Sequence, residues 1–265
     1  MELSGNSVNA KYYDIIYSLV KGDDVVAAEV DLICSVLPTN AKNIAILDIG
    51  CGTGRHSIPL AKLLPNCSIT ALDLTTEILN IAKQKALKEK IFNISFKNLN
   101  FYEFSSSTKF DLVVLFWNSL NEIALSDKDL ELFFTKLKSL LKKGAKVIIN
   151  VDDVENVVVI PEIDHLMSIT KGEKKYELEW KVKEFKKDSF ITISEEKITV
   201  YDKEGNIIEQ SNGEIIQKWW TKKEIARSAK NFMLTLQNSV HLTVNDELYL
   251  IFTNEFGADK KTGER

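Results

Sequence analysis

Nothing in the chain restricts the fold as tightly as Leu47-Asp48-Ile49-Gly50-Cys51-Gly52-Thr53-Gly54-Arg55. Asn43 to Asp48 is short and apolar enough for a buried strand, and it runs straight into three glycines at alternate positions. Ser57 to Leu64 then reads as a helix, ended by Pro65. Strand, glycine turn and helix in that order deliver the chain to the carboxyl edge of a sheet. There the backbone comes close to a ligand, because no Cβ intervenes. The helix behind points free N–H groups at the same place. An isolated G-x-G is as often a bare turn as a site. The flanking strand and helix, with Asp48 at the strand end, favour a site.

The same alternation continues. Ser68 to Asp73 reads as a second strand, Asn93 to Lys97 as a third, Phe110 to Phe116 as a fourth and Ala145 to Val151 as a fifth. Thr76 to Lys90 is helical, with Ile78, Leu79, Ala82, Ala86 and Leu87 on one face and Thr75 or Thr76 as N-cap. Asp127 to Leu141 is a helix with Gly144 just past its end. Strands separated by helices imply right-handed βαβ units and a parallel sheet. Near Asn150 the pattern changes. Tyr176, Leu178, Trp180 and Val182 alternate with Glu177, Glu179, Lys181 and Lys183, and Asp202 to Asn206 is a turn signal. Residues 165–218 therefore read as an antiparallel meander inserted into the α/β domain. A helix from Thr221 to Lys230 and strands at Phe232 to Val240 and Glu247 to Asn254 close the chain.

The ligand can be narrowed. A dinucleotide loop prefers G-x-G-x-x-G, and Arg55 stands where its last glycine would be. Asp48 would repel a pyrophosphate; it suits a ligand with an ammonium group and no phosphate. Asp73 ends the second strand, about 20 residues beyond the loop, where an acidic side chain accepts both ribose hydroxyls.

Asp48 to Gly54 resembles the first motif of class I S-adenosylmethionine-dependent methyltransferases, and Leu72-Asp73-Leu74 resembles their acidic second motif. The likeness covers residues 40–150 well and 219–255 loosely. It implies an α/β fold with a doubly wound, mostly parallel seven-stranded sheet, Rossmann-like, and S-adenosyl-L-methionine as cofactor. The implied cofactor-binding residues are Asp48, Gly50, Cys51, Gly52, Gly54, Arg55, Asp73, Leu74, Asn100, Phe101, Leu115 and Phe116. Asn100 stands where the family usually has an Asp for the adenine amine; its side-chain oxygen can accept the same bond without charge. The domain reading is a core of 1–164 and 219–265, with 165–218 as a lid.

Tyr12-Tyr13-Asp14, Gly54-Arg55-His56 and Phe116-Trp117-Asn118-Ser119-Leu120 resemble the small-molecule members. The meander is similar to the lid of glycine, sarcosine and amino-sugar N-methyltransferases. This implies methyl transfer by in-line displacement to a small-molecule acceptor, amine favoured over oxygen, with Tyr13, Trp117 and Asn118 in positioning roles. The N-terminal helix either closes over the cofactor, Tyr13 facing the reacting groups, or packs on the sheet alone. Two alternatives stand beside this: a non-catalytic cofactor- or partner-binding protein on the same fold, and a nicotinamide-dependent oxidoreductase, which Arg55 and Asp48 disfavour. Base-amine methylation is disfavoured because Trp117-Asn118-Ser119-Leu120 has no proline. Carbon-5 pyrimidine methylation is disfavoured because no cysteine falls at the needed place.

Composition adds bounds. A net charge of −4 offers no basic surplus for nucleic acid. No apolar run approaches the ~20 residues of a membrane span, and Met1 to Asn6 shows no secretory leader. Three unpaired cysteines, Cys34, Cys51 and Cys67, suggest reduced thiols and a cytoplasmic protein, monomer or homodimer. His56, His165 and His241 have no metal-ligand spacing, and packing or capping is the plainer role for His56.

Overall fold

A computed structural model describes residues 10–22, 24–38, 43–155, 164–242 and 247–255. The Met1 to Asn6 segment lies outside the described residues. After a 3-10 turn at Ala10–Tyr12 come α1 (Tyr13–Lys21), α2 (Val25–Ser35), β1 (Ala45–Ile49), α3 (Ser57–Leu63), β2 (Ser68–Asp73), α4 (Thr76–Lys88) and β3 (Ile94–Asn98). Next come β4 (Phe110–Leu115), α5 (Ser119–Ile123), α6 (Asp127–Leu140) and β5 (Leu141–Asp152). Then follow β6 (His165–Lys171), β7 (Lys174–Lys186), β8 (Ile191–Tyr201), β9 (Ile207–Lys218), α7 (Lys222–Asn231), β10 (Leu234–His241) and β11 (Glu247–Asn254).

One sheet has the order β10-β11-β5-β4-β1-β2-β3. β11 is antiparallel to β5 and to β10, while β1 to β5 run parallel. The predicted doubly wound seven-stranded architecture is therefore observed. All five residues of β1 are buried, as a central parallel strand covered on both faces requires. The chain leaves β1 toward β2 on one side and later returns to β4 on the other, so a topological switch opens beside β1.

Local details refine the expectations. Ile78, Leu79, Ala82 and Ala86 are buried on α4, but Leu87, in its last turn, is 69% exposed. Thr75 occupies the α4 N-cap position without a side-chain bond to the helix backbone; Asp73 Oδ1 accepts from its backbone N at 2.9 Å. Ser126 caps α6, its hydroxyl accepting from Asp129 N. Gly144 lies within β5 at φ 75°, where the β4–β5 register shifts, so it makes a bulge rather than a helix stop. Thr221 and Glu224 form a reciprocal capping box on α7.

β6 to β9 form a separate four-stranded antiparallel sheet. Its apolar face, with Tyr176, Leu178, Ile198 and Val200, packs against Tyr12 and Ile16. Tyr12 and Lys11 also bond Glu209 of β9. The N-terminal helix thus covers the meander rather than merely packing on the large sheet.

Candidate active site

The glycine turn is pinned from below. Gly50 N and Cys51 N both donate to Leu72 O at 2.9 Å, and Gly52 N donates to Asp73 Oδ2 at 2.9 Å. Gly50 and Gly52 take φ of 72° and 54°, the left-handed region that glycine enters without penalty. A Cβ at Gly50 would stand 2.6 Å from Ser119 Oγ, and one at Gly52 would stand 2.8 Å from the Tyr13 hydroxyl oxygen. The turn is therefore a tight cradle, closed over by Ser119 and Tyr13, with no room for larger residues at these positions.

The cradle opens into a cleft of about 820 Å³, counted out to open solvent, at the carboxyl ends of β1, β2 and β4. Among the residues singled out in the sequence, Tyr13, Gly50, Asp73, Leu74, Asn100, Phe101 and Trp117 line it. Burial raises the Asp73 carboxyl, while bonds from Thr75, Gly52 and Leu74 backbone hold it down. Asn100 Oδ1 accepts from Tyr102 N at 2.9 Å, and a carbonyl oxygen keeps a second lone pair for a ligand. Tyr13 is raised well above its ordinary value by burial, then by the charges of Asp73 and Glu122. It stays a neutral phenol with its proton on oxygen.

The remaining candidates stand behind this wall. Asp48 is 2% exposed and turns back to accept from Ser57 Oγ at 2.5 Å. Its side chain bonds the first residue of α3 and does not line the cleft; burial raises it, opposed by His56 and the Ser57 bond. Cys51, Leu115 and Phe116 are core residues. The Tyr13 ring covers Gly52, and Gly54 packs toward Ile58. The Arg55 guanidinium lies 3.3 Å from the Tyr17 ring centre, which ties α1 to the loop. Thr53 adds a bond to Asp14 at 2.5 Å.

Trp117 and Asn118 both take φ 52°, a strained pair at the end of β4. Asn118 Nδ2 donates to Asp152 Oδ2 at 2.6 Å and does not line the cleft. The kink starts α5, whose Ser119 and Glu122 do line it. Glu122 carries no motif signal and was invisible in the sequence. Burial, then the charges of Glu196 and Asp73, push it up to about 8, with a hydrogen bond from Gln217 opposing. Behind the site, Glu29 accepts from His56 Nε2 at 2.7 Å, Tyr249 at 2.7 Å and Tyr17 at 3.1 Å. Lys21 pairs with Glu247 and is lowered by burial to about 8, against Asp152 and Glu29. His241 lies 3.0 Å from Asp153, and His165 is exposed.

Against known proteins, the methyltransferase domain matches residues 40–198. A Geobacillus sp. (strain WCH70) protein named as a methyltransferase is 34% identical over 106 residues, 40% of this chain and 41% of that one. The chain spans less than half the length of the curated relatives it matches. Among solved structures, an S-adenosylmethionine-dependent methyltransferase from Clostridium acetobutylicum ATCC 824 gives a TM-score of 0.72 at 18% identity, covering 92% of this chain and 97% of that one. A sugar N-methyltransferase from Streptoalloteichus sp ATCC 53650 gives 0.70 at 15% identity, covering 91% and 92%. At these identities the likeness is one of fold.

Proposed function

The chain belongs to the methyltransferase-domain family, and from that premise we propose that it transfers the methyl group of S-adenosylmethionine to a small-molecule amine. The observation that carries this reading is Asp73, at the cleft wall and bonded to the glycine turn that forms the cradle. In this reading Asp73 receives the ribose hydroxyls and Asn100 the adenine amine, between Leu74 and Phe101. The cofactor supplies a methyl group already activated on a positively charged sulfur. The protein's part is to align an acceptor lone pair with that bond and exclude water. Strong general-base chemistry is not required for a neutral amine. The covering helix and meander, and the fold-level likeness to sugar N-methyltransferases, support a small amine acceptor over a macromolecule. Calorimetric titration with S-adenosylhomocysteine, then a methyl-transfer screen over amines, phenols and carboxylic acids, tests the reading. An absence of cofactor binding would overturn it.

Asp73→Ala is expected to weaken cofactor binding by about 1–3 kcal/mol, because a buried diol loses its charged acceptor. Asp73→Asn, which keeps an oxygen for the Gly52 N–H, separates that loss from loosening of the turn. Unchanged affinity in a folded Ala variant would refute the assignment.

Tyr13→Phe is expected to keep the fold and lower turnover by about tenfold to a hundredfold. Its ring already packs 5.8 Å from Trp117, centre to centre, so the packing survives and only the O–H is removed. Single-turnover transfer measures this; an unaltered rate would reduce Tyr13 to a cover.

A further inference from the structure

Where the meander packs on α5, two carboxylates come within electrostatic reach of each other, and among the described residues no cation pairs with either. Glu122, on α5, lines it. Glu196, on β8 of the meander, is 6% exposed and lies near enough for its charge to act on Glu122. No hydrogen bond or ion pair to a described residue satisfies Glu196. Thr192, Ser194 and Glu196 share one buried face of β8, with Gln217 opposite Thr192 on β9. On that face the Ser194 Oγ is also buried without a hydrogen-bond partner. Buried polar groups are ordinarily satisfied, and buried charges ordinarily paired. Among the described residues, the only donor to either carboxylate is the neutral amide of Gln217, which bonds Glu122. Among the described residues, no three His, Cys, Asp or Glu side chains gather as a metal-ion ligand set. An organic cation fits the remaining need.

Building on the amine reading above, we infer that the acceptor enters as an ammonium ion held between Glu122 and Glu196 and gives up its proton to that pair. The N–H bond breaks, the proton goes to a carboxylate oxygen, and the electron pair stays on nitrogen. The lone pair then forms the new N–C bond as the methyl's bond to sulfur breaks, its electrons remaining on sulfur. The carboxyl proton passes to solvent when product leaves. Burial keeps both carboxyls prone to hold a proton near neutrality, Glu122 to about 8 and Glu196 to about 7. Such a range matches proton exchange with an amine. The groups facing Glu122 are Glu196 from β8, Gln217 from β9, Asp73 from the end of β2 and Tyr13 from α1. The selectivity that follows is for basic amines over alcohols and acids of the same shape.

Cyclohexylamine, an ammonium ion at pH 8, and cyclohexanol, its neutral counterpart, serve as probes in ligand-detected NMR. Each is titrated into the free chain and into the chain saturated with S-adenosylhomocysteine. The amine is expected to bind at least about tenfold more tightly than the alcohol, with affinity rising between pH 6 and pH 8 as the carboxyls ionise. Glu122→Gln and Glu196→Gln should each remove about tenfold of that preference and flatten its pH dependence. Glu196→Gln should also raise the unfolding temperature, which checks that the variant is folded. Equal affinity for amine and alcohol, or a preference that survives both substitutions, overturns the inference. Failure of S-adenosylhomocysteine to bind the wild type is a separate result. It strikes the cofactor reading, while the free-chain titration still decides the ammonium site.

Discussion

Gly52→Val is expected to lower affinity for the cofactor by more than about a hundredfold, or ~2.7 kcal/mol, while the chain still folds. Gly52 sits at φ 54°, where a β-branched residue pays about 1–3 kcal/mol of strain. Its new Cβ would lie 2.8 Å from the Tyr13 hydroxyl oxygen and 2.9 Å from ring carbons. Either the ring leaves or the turn rotates, and rotation breaks the 2.9 Å bond from Gly52 N to Asp73. Both responses disorganise the cradle and the carboxylate together. The double variant with Tyr13→Ala distinguishes them. If the clash with Tyr13 were the whole cost, it would restore stability and binding. If the turn itself must stay bare for the ligand, stability recovers and binding does not. Calorimetry with S-adenosylhomocysteine, beside circular dichroism of each variant, reads both. Ordinary binding by the Val variant would show that the turn is not the cradle.

What the sequence made legible was what depends on neighbours along the chain. The strand–glycine–helix order placed the turn, and Asp73 fell at the end of β2 because it closes the run Ile69 to Leu72 just before the helix start at Thr75 and Thr76. The period-two pattern of Tyr176 to Lys183 identified the meander in the same way. What depends on contacts distant in sequence was not legible. Asp48 carries the motif's charge, yet the Ser57 hydroxyl draws it under the turn. Glu122 follows a kink made by two left-handed residues, Trp117 and Asn118, and neither residue type announces that conformation. Glu196 alternates with its neighbours as any strand residue does. The packing of the meander over α5 buries its face and brings its charge to bear on Glu122. The Glu29 cluster likewise draws His56 from the N-cap of α3, Tyr17 from α1 and Tyr249 from β11, three segments with no local signal in common.

The free protein is expected to lose about 3–5 kcal/mol of unfolding free energy between pH 5 and pH 8. Glu196 is raised from 4.5 to about 7 by burial alone, and one unit is worth about 1.36 kcal/mol, so its ionisation in the folded state costs about 3 kcal/mol. Glu122 is raised from 4.5 to about 8; part of that already contains the repulsion from Glu196, so the two costs do not simply add. The sign follows from proton counting. Above pH 4.5 the unfolded chain releases both protons while the folded chain keeps them. The folded state therefore binds more protons, and stability is fully present below the unfolded value and lost as pH rises through about 7 and 8. Burial raises Asp48, Asp73 and Asp152 as well, with the same sign. Glu29 is lowered, as the His56 and Tyr249 bonds and the Lys21 charge outweigh its burial; its stabilising contribution is complete before this window opens. Lys21, lowered to about 8, reverses the slope only at higher pH. Denaturant unfolding across this range, on the wild type and on Glu196→Gln, measures the effect. The variant should lose much less stability than the wild type over the same interval. Parallel curves would mean that Glu196 ionises as it does in water, and that the carboxylate pair is not a desolvated one.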